Sequence, residues 1–171
     1  MSLALLVGCA GSGGFHPLYA TAEYGGTGAS EKLAALDIAP IPGRVGQRIR
    51  NELTFQAAGG GAPLPLEYRV EIAIRESVSS TLVKIDGNAT GQVYNLDASY
   101  KLIRISDKSV VAEGKSYSRA GYEREIPSSN PTSGRSVFAN VRARQDAENR
   151  AAKTIAEELR TRLMAHLSRP A

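Results

Sequence analysis

The stretch LEYRVEIAIR, residues 66–75, alternates apolar and polar side chains along its whole length. A period of two is typical of a β-strand with one buried face and one solvated face. The apolar side includes Tyr68, Val70, Ile72 and Ile74, which are therefore expected to face the core. Half-buried strands of this kind belong to antiparallel sheets, so the stretch predicts a sheet whose polar face is open to solvent or to a partner.

Two further strands are predicted after this one. The alternation returns from Tyr94 to Ile103, after a turn signal at Asp86-Gly87-Asn88. A short polar connection then leads to a third strand, residues 110–119. One side of that strand carries Glu113, Lys115, Tyr117 and Arg119. Three strands joined by short turns predict an antiparallel meander.

Helical periods flank the strands on both sides. Residues 44–58 place Val45, Ile49, Leu53 and Ala57 on one stripe, which predicts a first helix. A second helix is predicted over residues 137–167, where apolar residues recur mostly at steps of four. These residues are Val137, Val141, Ala147, Ala151, Ile155, Leu159, Leu163 and Leu167.

A short strand is predicted over residues 36–41, before the first helix. Because Pro40 cannot donate a backbone hydrogen bond, we expect this strand at an edge of the sheet. The order is therefore strand, helix, three strands, helix. It predicts an α+β fold with a four-stranded, largely antiparallel sheet and two helices packed on its apolar face.

The composition limits the functional classes. A chain of 171 residues suffices for one domain with tails, and its net charge of +4 suits anionic partners without selecting one. A single Cys excludes an internal disulfide, and the two His residues lie too far apart in sequence for metal-ligand spacing. No catalytic or cofactor-binding motif is present, and no apolar run approaches the ~20 residues of a transmembrane helix. We expect no enzymatic activity, no metal and no cofactor.

The N-terminal stretch Leu3-Ala-Leu-Leu-Val-Gly-Cys9 is similar to the cleavage point of a bacterial lipoprotein signal. Two alternatives are an unmodified cysteine and a phosphate-binding loop at residues 11–14. The loop is disfavoured because Phe15-His16-Pro17 follows it instead of a helix, and no Gly-Lys-Ser/Thr closes it. We expect lipidation at Cys9.

Three segments follow from this interpretation. Residues 1–8 would be the remainder of a signal peptide, and residues 9–35 would form a lipidated tether rich in Gly, Ser, Thr and Ala. Residues 36–168 would form a single α+β domain.

A distinctive stretch follows Cys9, namely Gly14-Phe15-His16-Pro17-Leu18-Tyr19. It is similar to the Gly-Phe-x-Pro-Leu-Tyr stretch of alphaproteobacterial members of the LptE family, the lipopolysaccharide-assembly lipoproteins of the outer membrane. The chain resembles this family. Residues 44–53 resemble the first helix of the family, and residues 146–163 resemble its last helix.

The resemblance implies a lipid-anchored protein on the periplasmic face of the outer membrane. Such a protein would plug the LptD barrel, help to assemble it and bind lipopolysaccharide. The candidate residues for contacting lipopolysaccharide phosphates are Lys84, Arg142 and Arg144. One alternative is a periplasmic lipid or ligand carrier. The other is a nucleic-acid-binding α+β module, which only the net charge and the basic last helix favour and which lacks an aromatic stacking pair. We therefore expect no nucleic-acid partner.

Overall fold

The computed structural model describes residues 26–57, 65–83, 89–124 and 134–168. It confirms the α+β class and the four-stranded sheet, and it adds a third helix. In chain order the elements are α1 (Gly26–Ala34), β1 (Leu36–Ile38), α2 (Gly43–Ala57), β2 (Tyr68–Val83), β3 (Ala89–Arg104), β4 (Val110–Glu123) and α3 (Gly134–Leu167).

The four strands lie in the order β1-β2-β3-β4. Strands β2, β3 and β4 form the predicted antiparallel meander, whereas β1 runs parallel to β2 at the edge of the sheet. Because β1 pairs only with Tyr68, Arg69 and Val70, the outer edge of β2 has no strand neighbour from Glu71 onward among the described residues.

Strand β2 is longer than the alternating stretch that predicts it. It continues from Glu76 to Val83 through mostly polar residues and pairs with β3 along this whole length, with an irregular register after Ser80. Backbone hydrogen bonds to β3 hold the strand where its own side chains give little apolar signal.

The core lies between the sheet and the helices. The apolar stripe predicted for the first helix is buried in α2, and Leu53, Ile72, Ile155 and Leu159 are core residues as expected. The largest fully buried side chains are Tyr94, Ile49, Leu53, Leu96, Leu102, Ile155, Leu159, Leu163 and Val70.

The start of α2 packs closely against the chain that leaves β1. A Cβ at Gly46 would lie 2.6 Å from Ile41 Cγ2 and 2.8 Å from the Ile41 carbonyl oxygen, which leaves no room for a side chain. Gly43, the first residue of α2, has a φ of +82°, a conformation that glycine adopts at no steric cost. Both glycines belong to the first turn of α2, which also carries Arg44.

Helix α1 corrects the predicted tether. Residues 26–34 fall inside the segment assigned to the tether, yet they form a helix whose Ala29 and Leu33 lie in the core. The Lys32 ammonium group donates a hydrogen bond of 3.5 Å to the Leu167 carbonyl, which joins α1 to the end of α3. The folded domain therefore begins before residue 36, and residues 9–25 of the predicted tether lie outside the described residues.

Helix α3 confirms most of its predicted stripe. From Ala147 to Leu167 the apolar positions are buried, but Val137 and Val141 are 56% and 50% exposed, so the prediction that they pack against the sheet is wrong. Both residues lie in the first turns of the helix.

Candidate functional site

One end of the sheet carries a polar and aromatic cluster beneath α3. The register pairs Val83 with Ala89 and Gly91 with Glu123, so β2 ends, β3 begins and β4 ends on the same side of the domain. The Arg150 guanidinium donates a hydrogen bond of 2.9 Å to the Gly121 carbonyl, which places the first half of α3 over this side. We call this side the open end.

A buried carboxylate holds two arginines at the open end. Glu148 is 8% exposed and accepts a hydrogen bond of 2.9 Å from Arg144 Nε through Oε1. Its other oxygen, Oε2, forms an ion pair with Arg44 from the first turn of α2. Arg44 Nη1 also donates to Asn149 Oδ1 at 3.1 Å. Each oxygen of the Glu148 carboxylate therefore contacts one arginine, and these contacts hold both guanidinium groups in a fixed orientation.

This Arg44–Glu148–Arg144 cluster retains a positive charge. It contains two guanidinium groups and one carboxylate, which gives +1, and the two arginine side chains are 49% and 56% exposed. The hydrogen bond that Arg144 donates to the Glu148 carboxylate raises the pKa of Arg144, so this side chain stays charged at every physiological pH. The exposed N–H groups can bind a carboxylate or a phosphate from solution.

Two tyrosines on the sheet border the cluster. Tyr94 is fully buried, and its hydroxyl donates a hydrogen bond of 2.7 Å to Glu76 Oε2. Burial, and then the hydrogen bond to Glu76, raises the pKa of Tyr94, so its hydroxyl remains protonated. Tyr122 donates a hydrogen bond of 2.6 Å to Gln92 Oε1. These bonds fix the polar ends of both rings on the face of the sheet that carries α3.

The structure separates the three predicted lipopolysaccharide contacts. Arg144 belongs to the cluster, whereas Arg142 is exposed and has no ion pair with any described residue. Two positions along a helix correspond to a rotation of about 200°, so Arg142 and Arg144 lie on nearly opposite sides of α3. Lys84 and Cys9 lie outside the described residues.

Sequence reasoning missed two members of the cluster. Neither Arg44 nor Glu148 is among the residues that the sequence predicts for a site. A signal for Glu148 was nonetheless present, because it lies four residues before Ala152 and seven before Ile155, on the apolar stripe of α3. A carboxylate on such a stripe needs a cationic partner, and Arg144 is one turn away.

The outer face of the sheet is polar, as predicted, and some of its charged side chains form ion pairs with one another. Arg119 donates to Asp97 Oδ1 at 2.9 Å, and its guanidinium lies 5.8 Å from the centre of the Tyr117 ring. An open groove of about 640 Å³ crosses this face over Ala73 and Ser99. It lies on the opposite side of the sheet from the Glu148 carboxylate, so it forms no part of the cluster.

Within the described ranges, no group of three or more His, Cys, Asp or Glu residues could hold a metal ion. The helices described here also include none long and apolar enough to cross a membrane.

Comparison with known proteins identifies the fold. No protein-family model and no curated protein matches the chain. Among solved structures, one from Caulobacter crescentus that is designated a lipoprotein matches with a TM-score of 0.63 at 18% identity, over 84% of this chain and 98% of that chain. A minor lipoprotein from Acinetobacter baumannii matches with a TM-score of 0.50 at 10% identity, over 76% of this chain and 91% of that one. The protein thus has a fold found in solved bacterial lipoproteins.

Proposed function

We propose that this protein is a lipid-anchored lipoprotein of the LptE type, held at the periplasmic face of the outer membrane through Cys9. In this proposal it occupies the lumen of the LptD barrel, helps to assemble the barrel and binds lipopolysaccharide. The lipoprotein fold supports the first part, together with the resemblance of Cys9 and the stretch Gly14–Tyr19 to LptE.

The observation that carries the lipopolysaccharide role is the Arg44–Glu148–Arg144 cluster. Lipopolysaccharide carries phosphate groups, and planar guanidinium groups bind phosphate through paired hydrogen bonds. A guanidinium that is already oriented by a carboxylate loses less conformational entropy when it binds. Because Arg44 and Arg144 are fixed by Glu148 while remaining half exposed, they favour phosphate recognition over a purely structural role.

We propose a binding role without catalysis, and the same contacts weigh against the two alternatives. A lipid or ligand carrier needs an interior cavity, whereas the groove over Ala73 and Ser99 is open to solvent and lies on the outer face of the sheet. A nucleic-acid interface needs a stripe of free cations, whereas three arginines of α3 are paired with acids of the same helix. These pairs are Arg144–Glu148, Arg150–Asp146 and Arg162–Glu158.

Purification from the native membrane tests the anchor and the barrel. The tagged protein, expressed with its full native leader, should fractionate with the outer membrane and co-purify with a β-barrel partner. Mass spectrometry should find Cys9 as a lipid-modified N-terminus. An unmodified chain that retains Met1 would contradict the anchor, and a preparation without any barrel would contradict the plug role.

Substitution of Arg144 tests the phosphate contact. The Arg144→Gln variant should bind purified lipopolysaccharide at least tenfold more weakly, because a charge-assisted contact contributes about 1.5–3 kcal/mol and about 1.4 kcal/mol corresponds to tenfold. The matched control is Arg119→Gln on the outer face of the sheet, whose affinity should stay within twofold of wild type. Equal affinities for wild type and Arg144→Gln would contradict the assignment.

The same two variants separate the barrel role from lipid binding. A plug is held by a large complementary surface, so loss of one charge should leave the complex with the barrel intact. We therefore expect Arg144→Gln to co-purify with the barrel as well as Arg119→Gln does.

A further inference from the structure

An apolar surface lies beside the cluster, on the first turns of α3. Val137, Phe138 and Val141 are 56%, 76% and 50% exposed, and they are neighbours on the helix. We call these three residues the open stripe. Single exposed apolar residues are common, but a contiguous group next to a charged cluster points to a binding surface.

The open stripe is exposed because the sheet ends before the helix does. Arg150 contacts Gly121, and from there α3 continues back to Gly134 over about 24 Å at 1.5 Å per residue. In the same direction β4 extends two residues past Gly121, about 7 Å, and β3 reaches Ala89 about 13 Å away. The first turns of α3 therefore extend past the described strands.

The open stripe lies on the same face of α3 as Arg144, which Glu148 holds in place. Val137, Val141, Arg144 and Glu148 follow one another at steps of four, three and four residues, which places them on one face of α3. Val137 and Arg144 lie seven positions apart, which corresponds to about 10 Å along the helix axis. An oriented cation and an apolar surface thus lie end to end on one face of α3.

We propose that the open stripe binds the acyl chains of a phosphorylated lipid whose phosphate is held by Arg144 and Arg44. The inference rests on the proposed function and deepens it, because it assigns the acylated part of lipopolysaccharide to this end of the domain. Charge complementarity selects this occupant. A free phosphate would leave the open stripe without a contact, and an uncharged apolar partner would leave the net charge of +1 and the exposed N–H groups of the cluster without a contact.

The test compares lipopolysaccharide with its deacylated form on two exposed apolar sites. The test variant is the triple substitution Val137→Gln, Phe138→Gln and Val141→Gln, which keeps good helix formers on a solvated surface. The matched control is Phe55→Gln on α2, because Phe55 is 81% exposed and belongs to a different helix. Both variants should keep the melting temperature of wild type to within a few degrees.

We expect the triple variant to bind purified lipopolysaccharide about tenfold more weakly than wild type. Its affinity for deacylated lipopolysaccharide should stay within twofold of wild type, since the phosphate contacts remain. Phe55→Gln should match wild type with both ligands, and Arg144→Gln should weaken both.

The other outcomes overturn the inference in distinguishable ways. If the triple variant binds intact lipopolysaccharide as tightly as wild type, the open stripe does not contact acyl chains, although the proposed function still stands. If it binds lipid normally but no longer co-purifies with a barrel, the stripe is a protein contact. If wild type binds neither form of lipopolysaccharide, the inference and the lipopolysaccharide role fail together.

Discussion

The two parts of α3 share one apolar period but lie in opposite environments. The covered part, residues 147–167, packs its stripe against the sheet, where Ile155 and Leu159 are fully buried. The open part, residues 134–146, continues the same stripe through Val137 and Val141 in solvent. The comparison shows that a helical period identifies the apolar face of a helix, whereas the length of the sheet beneath determines whether that face is buried.

The largest effect should come from the covered part. Leu159→Ala should lower the free energy of unfolding by about 2–5 kcal/mol, because it removes buried methyl groups and leaves a cavity. Lys153→Ala, an exposed position on the same helix, should change it by less than about 0.5 kcal/mol. Urea denaturation measures both, and equal losses would show that the assigned face of α3 is wrong.

The boundary between the two parts should give an intermediate effect. Glu148→Gln removes the charge that Arg44 and Arg144 share, and it replaces one buried acceptor oxygen with an NH2 donor that faces an arginine. It should therefore cost about 1–3 kcal/mol. The control is Glu157→Gln, an exposed residue paired only with Lys153 at 3.8 Å, which should change stability by less than about 0.5 kcal/mol. Thermal melts of the two variants that coincide would contradict the structural role of Glu148.

A smaller loss of stability is expected for substitution of Tyr94, which lies beneath the boundary between the covered and open parts of α3. Tyr94→Phe loses the hydrogen bond to Glu76 and should cost about 0.5–1.5 kcal/mol at neutral pH. Since burial raises the pKa of Tyr94 above its ordinary value of about 10, its contribution is fully present below that pH and decreases as the pH rises further. Wild type should therefore lose stability more steeply than Tyr94→Phe in alkaline melts. Parallel profiles above pH 10 would contradict the raised pKa.

The smallest effect should come from the open part. Val141→Ala should change the free energy of unfolding by less than about 0.5 kcal/mol, because the side chain is already half exposed and Ala favours the helix. Chemical denaturation beside Leu159→Ala gives the direct comparison. A loss of about 1 kcal/mol or more would show that the open part is packed in solution.

The sequence predicts the parts of the fold in which one face is apolar along a whole element. The meander, α2 and the covered part of α3 follow from such periods. Helix α1 was missed because its sequence, GTGASEKLA, is poor in strong apolar signals and contributes only Ala29 and Leu33 to the core. Packing against α3 stabilises a helix that its own propensity does not predict.

The candidate site was only partly accessible from the sequence. Arg144 was predicted, but the carboxylate that pairs with it was not. This carboxylate, Glu148, also pairs with Arg44, which lies 104 positions from Glu148 in the chain. A contact of this kind depends on how α2 packs beside α3, and the sequence of neither helix alone specifies that packing. The apolar period of a single helix carries no information on contacts between residues that are so far apart in the sequence.

The short first strand has a consequence for how the protein behaves at high concentration. Among the described residues, no strand pairs with the outer edge of β2 from Glu71 to Val83, and an edge of this kind is a template for the strand of another molecule. Arg75 and Glu76 place charges on this edge, and the irregular register after Ser80 distorts it. These features oppose edge-to-edge aggregation, so the colloidal stability of the protein depends on residues outside both the hydrophobic core and the arginine cluster.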